Sequence, residues 1–464
     1  AGTALPQGVV EHVHKETEGL PFFLVEYLAV IMSGIGATDG EEWSLPGGVR
    51  GLLDSRLASV DGTSRQLLTT AAVIGRSFDF DTLREASGRS EEETVDGLEA
   101  VTALGLIREI AADDGERNPT YDFSHEKLRT LVYDQTSLAR RRLLHRRVAE
   151  ALVGRARASG IASATAGQVA YHYRLSGQES EAATYLKLAG EYARSLYANA
   201  EALSHFRAAL ALGHPDTAAL HDAIGDMYTL MAEYELAIAS YETAAGLCDG
   251  TVLATIECKL GAVHNRRGDY DLADSHLQSA LNILGEAGPA GERARVLAEW
   301  SLTAHQQGRS EHAAALAHDA LTLAHATKDV WALTRAHNIL GILAGSQRDP
   351  ATAFHHLEQS LALAEDANDP GARAAALNNL SLLHSAEGNF DQAIDLAETA
   401  LSLCASQGDR HREAAMHNNL ADLLHADGRR DAAMAHLKEA VRIYAEIGVE
   451  AGAVQPQIWK LAEW

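Results

Sequence analysis

The sequence predicts a mainly α protein, most of it a solenoid of helix pairs, and three observations carry that expectation. One is a pattern that recurs through the second half of the chain: "GDYDLADSHLQSAL", "GRSEHAAALAHDAL", "GNFDQAIDLAETAL" and "GRRDAAMAHLKEAV" share a glycine, an alanine five residues on, a second alanine seven further, then Leu or Val. The first alanine falls at Ala273, Ala313, Ala353, Ala393 and Ala433, a step of 40 residues. The Ala353 copy departs twice, with Arg348 at the glycine and Ser360 at the second alanine. Looser copies anchor on Ala237 and Ala202, and Ala182 begins the series. A fixed period of this size marks stacked supersecondary units, since one helix pair cannot cover its own apolar face. The second observation is composition. Aromatics make up 6% and charged residues 22%, and an alanine-rich chain favours helix over strand. The third is length, because 464 residues are enough for about three domains.

The front of the chain reads differently. Residues 17–28, "TEGLPFFLVEYL", are a turn punctuated by Gly19 and Pro21 that runs into a buried helix. Helices follow at 47–58, 61–74, 79–87 and 90–104, the last opening with a capping box of Ser90 and Glu93 and stopping at Gly105. "LIREI" and "PTYDF" are short strands on either side of the turn "ADDGERN". Residues 47–136 therefore read as a winged helix with "ADDGERN" as its wing. The helix that would enter a DNA groove carries Glu91, Glu92, Glu93, Asp96 and Glu99 and no Lys or Arg, a surface that repels phosphate. In "FSHEKLR", Ser124 is expected to cap the next helix, with His125 in its first turn, a favourable place for an anion. "LARRRLLHRRVAEAL" follows as a linker helix whose arginines pair with acidic neighbours.

Charge and composition exclude several functions. The 39 basic and 64 acidic residues give a net charge of −25, divided as 16 and 25 in 1–150 and 23 and 39 beyond. Both parts repel nucleic acid in bulk, so no direct nucleic-acid partner is expected. Cys248, Cys258 and Cys404 are odd in number and scattered, which argues against disulfides or zinc and for a reducing, cytoplasmic location. The longest apolar run, 22–35, is about fourteen residues and contains Glu26, too short to span a bilayer. His12/His14 and His355/His356 lack supporting carboxylates, and neither HExxH nor a G-x-S-x-G elbow occurs. No catalytic residue and no metal ligand is nominated.

The repeat resembles the tetratricopeptide repeat (TPR) over roughly 165–448, about eight helix pairs, with helices lengthened from the usual period of about 34 residues. HEAT-type pairs have a similar period but do not require this glycine-and-alanine grammar. The resemblance implies a superhelix whose first helices line a concave groove. In residues Ala375, Asn379, Leu382 and Ala386 the spacing i, i+4, i+7, i+11 marks one helix face, opposed by Leu377, Leu380 and Leu383. Equivalent places hold Arg295, Glu299, Arg335, Asn419 and Asp422, and with Asn379 these are the effector-groove candidates. "LNNL" and "HNNL" resemble the asparagine ladder of kinesin-light-chain repeats, which holds a peptide backbone. Arg295 and Arg335 suit a carboxylate or phosphate.

The ordered set "EGLPFFLVEYL", winged helix and "FSHEKLR" resembles the back half of the nucleotide module of STAND signal-transduction ATPases, the class that includes bacterial LuxR-type and SARP-type regulators. In that family a Gly-x-Pro lid motif touches the adenine side of ADP, matched here by Gly19, Leu20 and Pro21. A Met-His-Asp motif places its histidine near the ADP phosphates, matched by His125, although Phe-Ser precedes it and Glu126 follows. No G-x-x-x-x-G-K-[ST] occurs, so the phosphate-holding half is absent; the chain is expected to be a fragment or one partner of a split system, with no cofactor of its own and no enzymatic activity. The resemblance implies ADP or ATP, and slow ATPase activity, for the parent protein.

The domain reading is then 1–46 a helical lid, 47–136 a winged helix, 137–164 a linker helix, 165–448 the TPR superhelix and 449–464 a capping segment. The expected function is the sensor portion of a STAND switch, a bacterial transcriptional regulator in which a peptide, protein or small-molecule effector controls an upstream nucleotide-binding domain. The rival is a constitutive TPR scaffold for partner peptides without nucleotide control.

Overall fold

Alternating glycines, caps and apolar stripes along the chain resolve, in a computed structural model, into helices joined by short turns. The structure describes residues 14, 17, 24, 47–110, 118–160 and 162–447. Most of the expected lid, residues 112–117 of the turn "ADDGERN" and the segment 449–464 lie outside the described residues. Two compact units divide the chain, 1–185 and 186–464.

In the first unit, α1 (Gly47–Ala58), α2 (Gly62–Ile74), α3 (Phe80–Ser87) and α4 (Glu91–Ala103) fall where the sequence places them. Asp61 caps α2 by accepting from the amides of Thr63 and Ser64, and the Ser90–Glu93 capping box on α4 is reciprocal. Strands β1 (Ser77–Asp79), β2 (Ile107–Ile110) and β3 (Thr120–Phe123) form one antiparallel sheet in the order β1-β3-β2, with Phe78 opposite Tyr121 and Ile107 opposite Phe123. Strands β2 and β3 fall where the sequence places them, and β1 is an addition to that expectation. Three residues of "SFD" are too few for a visible alternation. Leu67, Leu83, Val101, Leu106, Phe123 and Leu128 make the core, and the five acidic residues of α4 face solvent.

One cap differs from expectation. His125, not Ser124, is the N-cap of α5 (Glu126–Asp134): its φ of −155° is extended and its Nδ1 accepts the Lys127 amide at 3.0 Å. Ser124 instead donates its own backbone amide to the Leu106 carbonyl, continuing the sheet edge. The long helix α6 (Leu138–Ser159) packs Leu144, Val148 and Ala151 against Val73 and Ala86, and Arg155 pairs with Asp79, the cap of α3. Buried Val169, Ala170 and Tyr173 lie on α7 (Ala166–Ser176), and buried Ala182 and Ala183 on α8 (Glu179–Ser195).

In the second unit α9 (Asn199–Ala211) is followed by six helix pairs. They are α10 (Thr217–Leu230) with α11 (Tyr234–Ala245), α12 (Gly250–Arg267) with α13 (Tyr270–Leu284) and α14 (Ala290–Gln306) with α15 (Ser310–Thr327). Then come α16 (Val330–Ser346) with α17 (Pro350–Asp366), α18 (Pro370–Ala386) with α19 (Phe390–Gln407) and α20 (Arg410–Ala426) with α21 (Arg430–Glu446). This is the α-solenoid the repeat predicts.

Its grammar is a packing rule. Ala273, Ala313, Ala353, Ala393 and Ala433 are fully buried, as are Ala280, Ala320, Ser360, Ala400 and Ala440. The first helix of each pair answers with a small residue: Gly261, Ser301, Gly341, Ser381 and Ala421 recur at the same 40-residue step and are all buried. A Cβ on Gly261 would sit 2.6 Å from Leu277 Cγ, and one on Gly341 2.6 Å from Leu357 Cγ, so the second helix presses a leucine into the backbone of the first. Both departures in the Ala353 copy have a reason. Ser360 donates to the Thr334 carbonyl at 2.9 Å, and Arg348 takes the left-handed turn (φ 61°) that Gly268, Gly308, Gly388 and Gly428 make elsewhere.

Candidate ligand-binding cavity

The first helices of successive pairs, α12, α14, α16 and α18, stack side by side and leave their inner faces to line a hollow. A cavity of about 320 Å³ opens there, walled by residues of α10 to α12, α14, α16 and α20. A second lobe of about 250 Å³ shares Cys258, Lys259 and Trp331 with it and adds Ala254, Leu284, Glu292, Arg295 and Val296. Concave spaces of this size, apolar with a few convergent polar groups, are where proteins take small ligands or single peptide residues.

Each polar group in the wall is positioned by the helix that carries it. On α16, Trp331 and Arg335 are one turn apart, and the guanidinium lies 4.3 Å from the centre of the indole while pairing with Glu299 of α14 at 2.5 Å. Glu299 is buried, so this pair holds two adjacent repeats in register. Lys259 of α12 is held by Asp222 at 2.6 Å and Asp226 at 2.8 Å. Burial opposes its charge, yet Asp226 and Asp222 outweigh the burial and raise its pKa above the usual lysine value. In the second lobe Arg295 reaches Asp329 at 2.8 Å and Glu292 at 3.5 Å.

The far wall comes from distant sequence. Arg266, at the end of α12, meets Asp409 ahead of α20 through three contacts of 3.2 Å. Asn199 Nδ2 donates to the Gln407 carbonyl at 2.8 Å, and the rings of Tyr234 and His411 stand 5.9 Å apart. The array therefore curls until its early and late repeats touch, which closes the cavity on the side opposite α14 and α16. Burial works against the charge of Asp409, but Arg266 and then Arg412 hold its carboxyl below the usual range. His411 is pushed down to about 4, chiefly by burial and then by Arg266, so it is neutral.

Residues 372–446 match the tetratricopeptide repeat. Among solved structures, the signal transduction ATPase with numerous domains from Pyrococcus horikoshii, which has a TPR sensor, superposes with a TM-score of 0.51 at 14% identity. The alignment covers 95% of this chain and 64% of that one, so the chain spans under two thirds of that protein's length. A Rap protein complexed with competence and sporulation factor matches at 11% identity and a TM-score of 0.48, over 86% of this chain and 99% of that one. A Rap conjugation gene regulator of plasmid pLS20, in complex with the Phr* peptide, matches at 15% and 0.48, over 85% and 98%. No curated protein matches the sequence. At these identities the likeness is one of fold.

Of the six groove candidates on the TPR array, Glu299 and Arg335 line the main lobe and Arg295 the second. Asn379, Asn419 and Asp422 line neither. The two asparagines belong to a ladder in which Asn379 donates to Asn338 at 2.9 Å and Asn419 to Asn378 at 2.8 Å, each 41 residues back. Asp422 is exposed on α20. Lys259, Asn265, Arg266, Trp331, His411 and Arg412 were not singled out in the sequence. Trp331 followed by Arg335 one turn later was a usable signal; the contact of Arg266 with Asp409 had none.

In the first unit His125 is buried and both ring nitrogens are engaged, Nδ1 with the Lys127 amide and Nε2 at 3.3 Å from the Thr17 carbonyl. Gly19 and Pro21 lie outside the described residues. Among the described residues no group of three His, Cys, Asp or Glu could hold a metal ion. No described helix is long and apolar enough to cross a membrane.

Proposed function

We propose that the chain is the sensor portion of a STAND-type switch, in which an effector, a peptide, protein or small molecule, enters the TPR cavity and controls an upstream nucleotide-binding domain. The observation that carries this reading is the two-lobed cavity, where Trp331, Arg335 and buried Glu299 form a preset recognition wall on α14 and α16. The fold likeness to the Pyrococcus horikoshii STAND protein supports it. So do the Rap proteins described as complexes with a factor and a peptide, as instances of what such arrays hold. Arg295, Arg335, Asn379 and Asn419 contribute to recognition in this reading, the asparagine ladder extending the face beyond the cavity.

Residues 47–136 are the winged helix of the nucleotide module, and Gly19, Pro21 and His125 contact ADP when the upstream domain is present. The parent is a cytoplasmic transcriptional regulator, and no catalytic residue lies in this part of it. An effector can shift such a switch only by binding its two states with different affinity. The rival reading, a constitutive scaffold, draws on one observation: His125 already spends both ring nitrogens inside the chain.

A thermal-shift screen of metabolites and peptides tests the sensor reading. A hit whose affinity falls at least about tenfold when Arg295, Arg335, Asn379 and Asn419 are replaced together by Ala supports it. A hit indifferent to that change contradicts it. Adding the reading frame upstream of Ala1 and finding no Walker lysine favours the scaffold.

A further inference from the structure

The main lobe of the cavity shares its carboxylates unevenly among its cations. Four cations line it, Lys259, Arg266, Arg335 and Arg412. Lys259 has Asp222 and Asp226, and Arg335 has Glu299. Arg266 and Arg412 share a single carboxylate, Asp409, at 3.2 Å and 3.5 Å. The other contact of Arg412 is a neutral one, the Gly371 carbonyl at 3.0 Å. Burial and then the neighbouring charge of Arg266 depress the pKa of Arg412 despite Asp409, whereas for Arg266 the attraction of Asp409 outweighs burial and raises it, so Asp409 serves Arg266 first. The second lobe has no such imbalance, since Arg295 faces both Glu292 and Asp329. The four carboxylates Asp222, Asp226, Glu299 and Asp409 match the four cations in number, so the cationic spot is local, at Arg266 and Arg412 with one carboxylate between them.

Two further groups in the same wall lack partners. His411 Nδ1 and Asn265 Oδ1 are buried and make no hydrogen bond among the described residues. Leaving such atoms buried and unpaired is unfavourable, so they mark where a ligand's polar groups would sit. A neutral imidazole can donate to an oxyanion, and an amide oxygen can accept from an N–H. Beside them, Ala254, Leu284, Val296 and Trp331 make the second lobe largely apolar.

We infer that the cavity binds the C-terminal residue of a peptide, its carboxylate between Arg266 and Arg412, its backbone N–H toward Asn265 and its apolar side chain in the second lobe. This rests on the cavity being the effector site, and it names the chemistry that site selects. Arginine pairs fit a carboxylate through parallel N–H bonds. The bound carboxylate supplies the missing counter-charge, lowers the repulsion between Arg266 and Arg412, and so ties α12 to α20 across the curl.

The test uses the unaltered chain with N-acetyl-Ala-Leu, the same dipeptide as its C-terminal amide, and inorganic phosphate, read by calorimetry and thermal shift. The acid is expected to bind saturably, the amide at least about tenfold more weakly, and phosphate more weakly than the acid. Asp409→Asn keeps the helix cap but removes the competing carboxylate, so it should tighten the acid about threefold or more and give a larger thermal shift on binding. Arg412→Gln should weaken it at least about tenfold. Absence of saturable binding by the acid overturns the inference, as does an amide that binds equally, a phosphate that binds more tightly, or an acid affinity unchanged in both variants. Should either variant fail to fold, the acid-to-amide ratio on the unaltered chain still decides. Equal binding of acid and amide, lost together in Trp331→Ala, removes the carboxylate and leaves the effector cavity standing.

Discussion

Arg266 and Asp409, 143 residues apart, meet in a bidentate ion pair at 3.2 Å, and Asp409 is buried with 2% of its surface exposed. A pair so placed contributes less by attraction than it costs when broken, because the survivor is left charged and desolvated. Asp409→Ala is therefore expected to destabilise the array by about 3–5 kcal/mol, and Arg266→Met with Asp409→Leu together by clearly less than the single change. Chemical denaturation of the three variants measures this. Equal losses in the single and double variants would show that the pair does not act as a unit.

Gly341 tests the packing rule of the repeat. A Cβ there meets Leu357 at 2.6 Å, and overpacking of this kind costs about 1–3 kcal/mol. Gly341→Ala should lower the thermal midpoint of the unaltered chain, and should cost less, or nothing, when made in a Leu357→Ala background, which is itself destabilised by loss of a buried leucine. The coupling between the two changes is the decisive readout, since a helix-propensity effect alone would make Gly→Ala stabilising in both backgrounds.

Histidine pairs give the array a pH dependence. His337 and His356 approach at 2.9 Å through their Nδ1 atoms, and His417 and His436 do so at 2.8 Å. Burial, and then His356, pushes His337 down to about 4, and burial depresses the other three. A histidine whose pKa is lower folded than unfolded contributes stability that is fully present above about 6.5 and is lost as pH falls toward its folded value. The unfolded chain binds more protons in that window, so stability rises with pH between about 4 and 6.5. Replacing His337 and His356 by Gln should flatten the thermal midpoint across that range. An unchanged slope would place the dependence elsewhere.

His125 is an N-cap made of an unusual residue. His125→Ala removes the acceptor for the Lys127 amide and should cost about 1 kcal/mol or more. His125→Asn restores a cap acceptor and should recover most of it, as read by chemical denaturation.

The sequence made the solenoid legible because a packing constraint repeats at fixed spacing. Ala273 and Ala280 are invariably small where helices nest, and the same places 40 residues on obey the same rule. Helices α1 to α4 were legible through Ser90, Glu93 and Gly105, whose capping and turn roles are local. Strand β1 was not, since it exists only because β3 offers a partner. The cavity was half legible. Arg295, Glu299 and Arg335 stand on the repeating inner face, whereas Arg266 and Arg412 sit at helix ends, where their roles depend on how far the array curls. Curvature accumulates over many small rotations between repeats and leaves no mark at any one residue.

Hydrogen exchange of the unaltered chain, with and without the tightest hit from the thermal-shift screen, tests the effector cavity most directly. Slowed exchange confined to the inner helices α12, α14, α16 and α20 is the predicted result. Slowed exchange only in α1 to α5, or none anywhere despite saturating ligand, would contradict it.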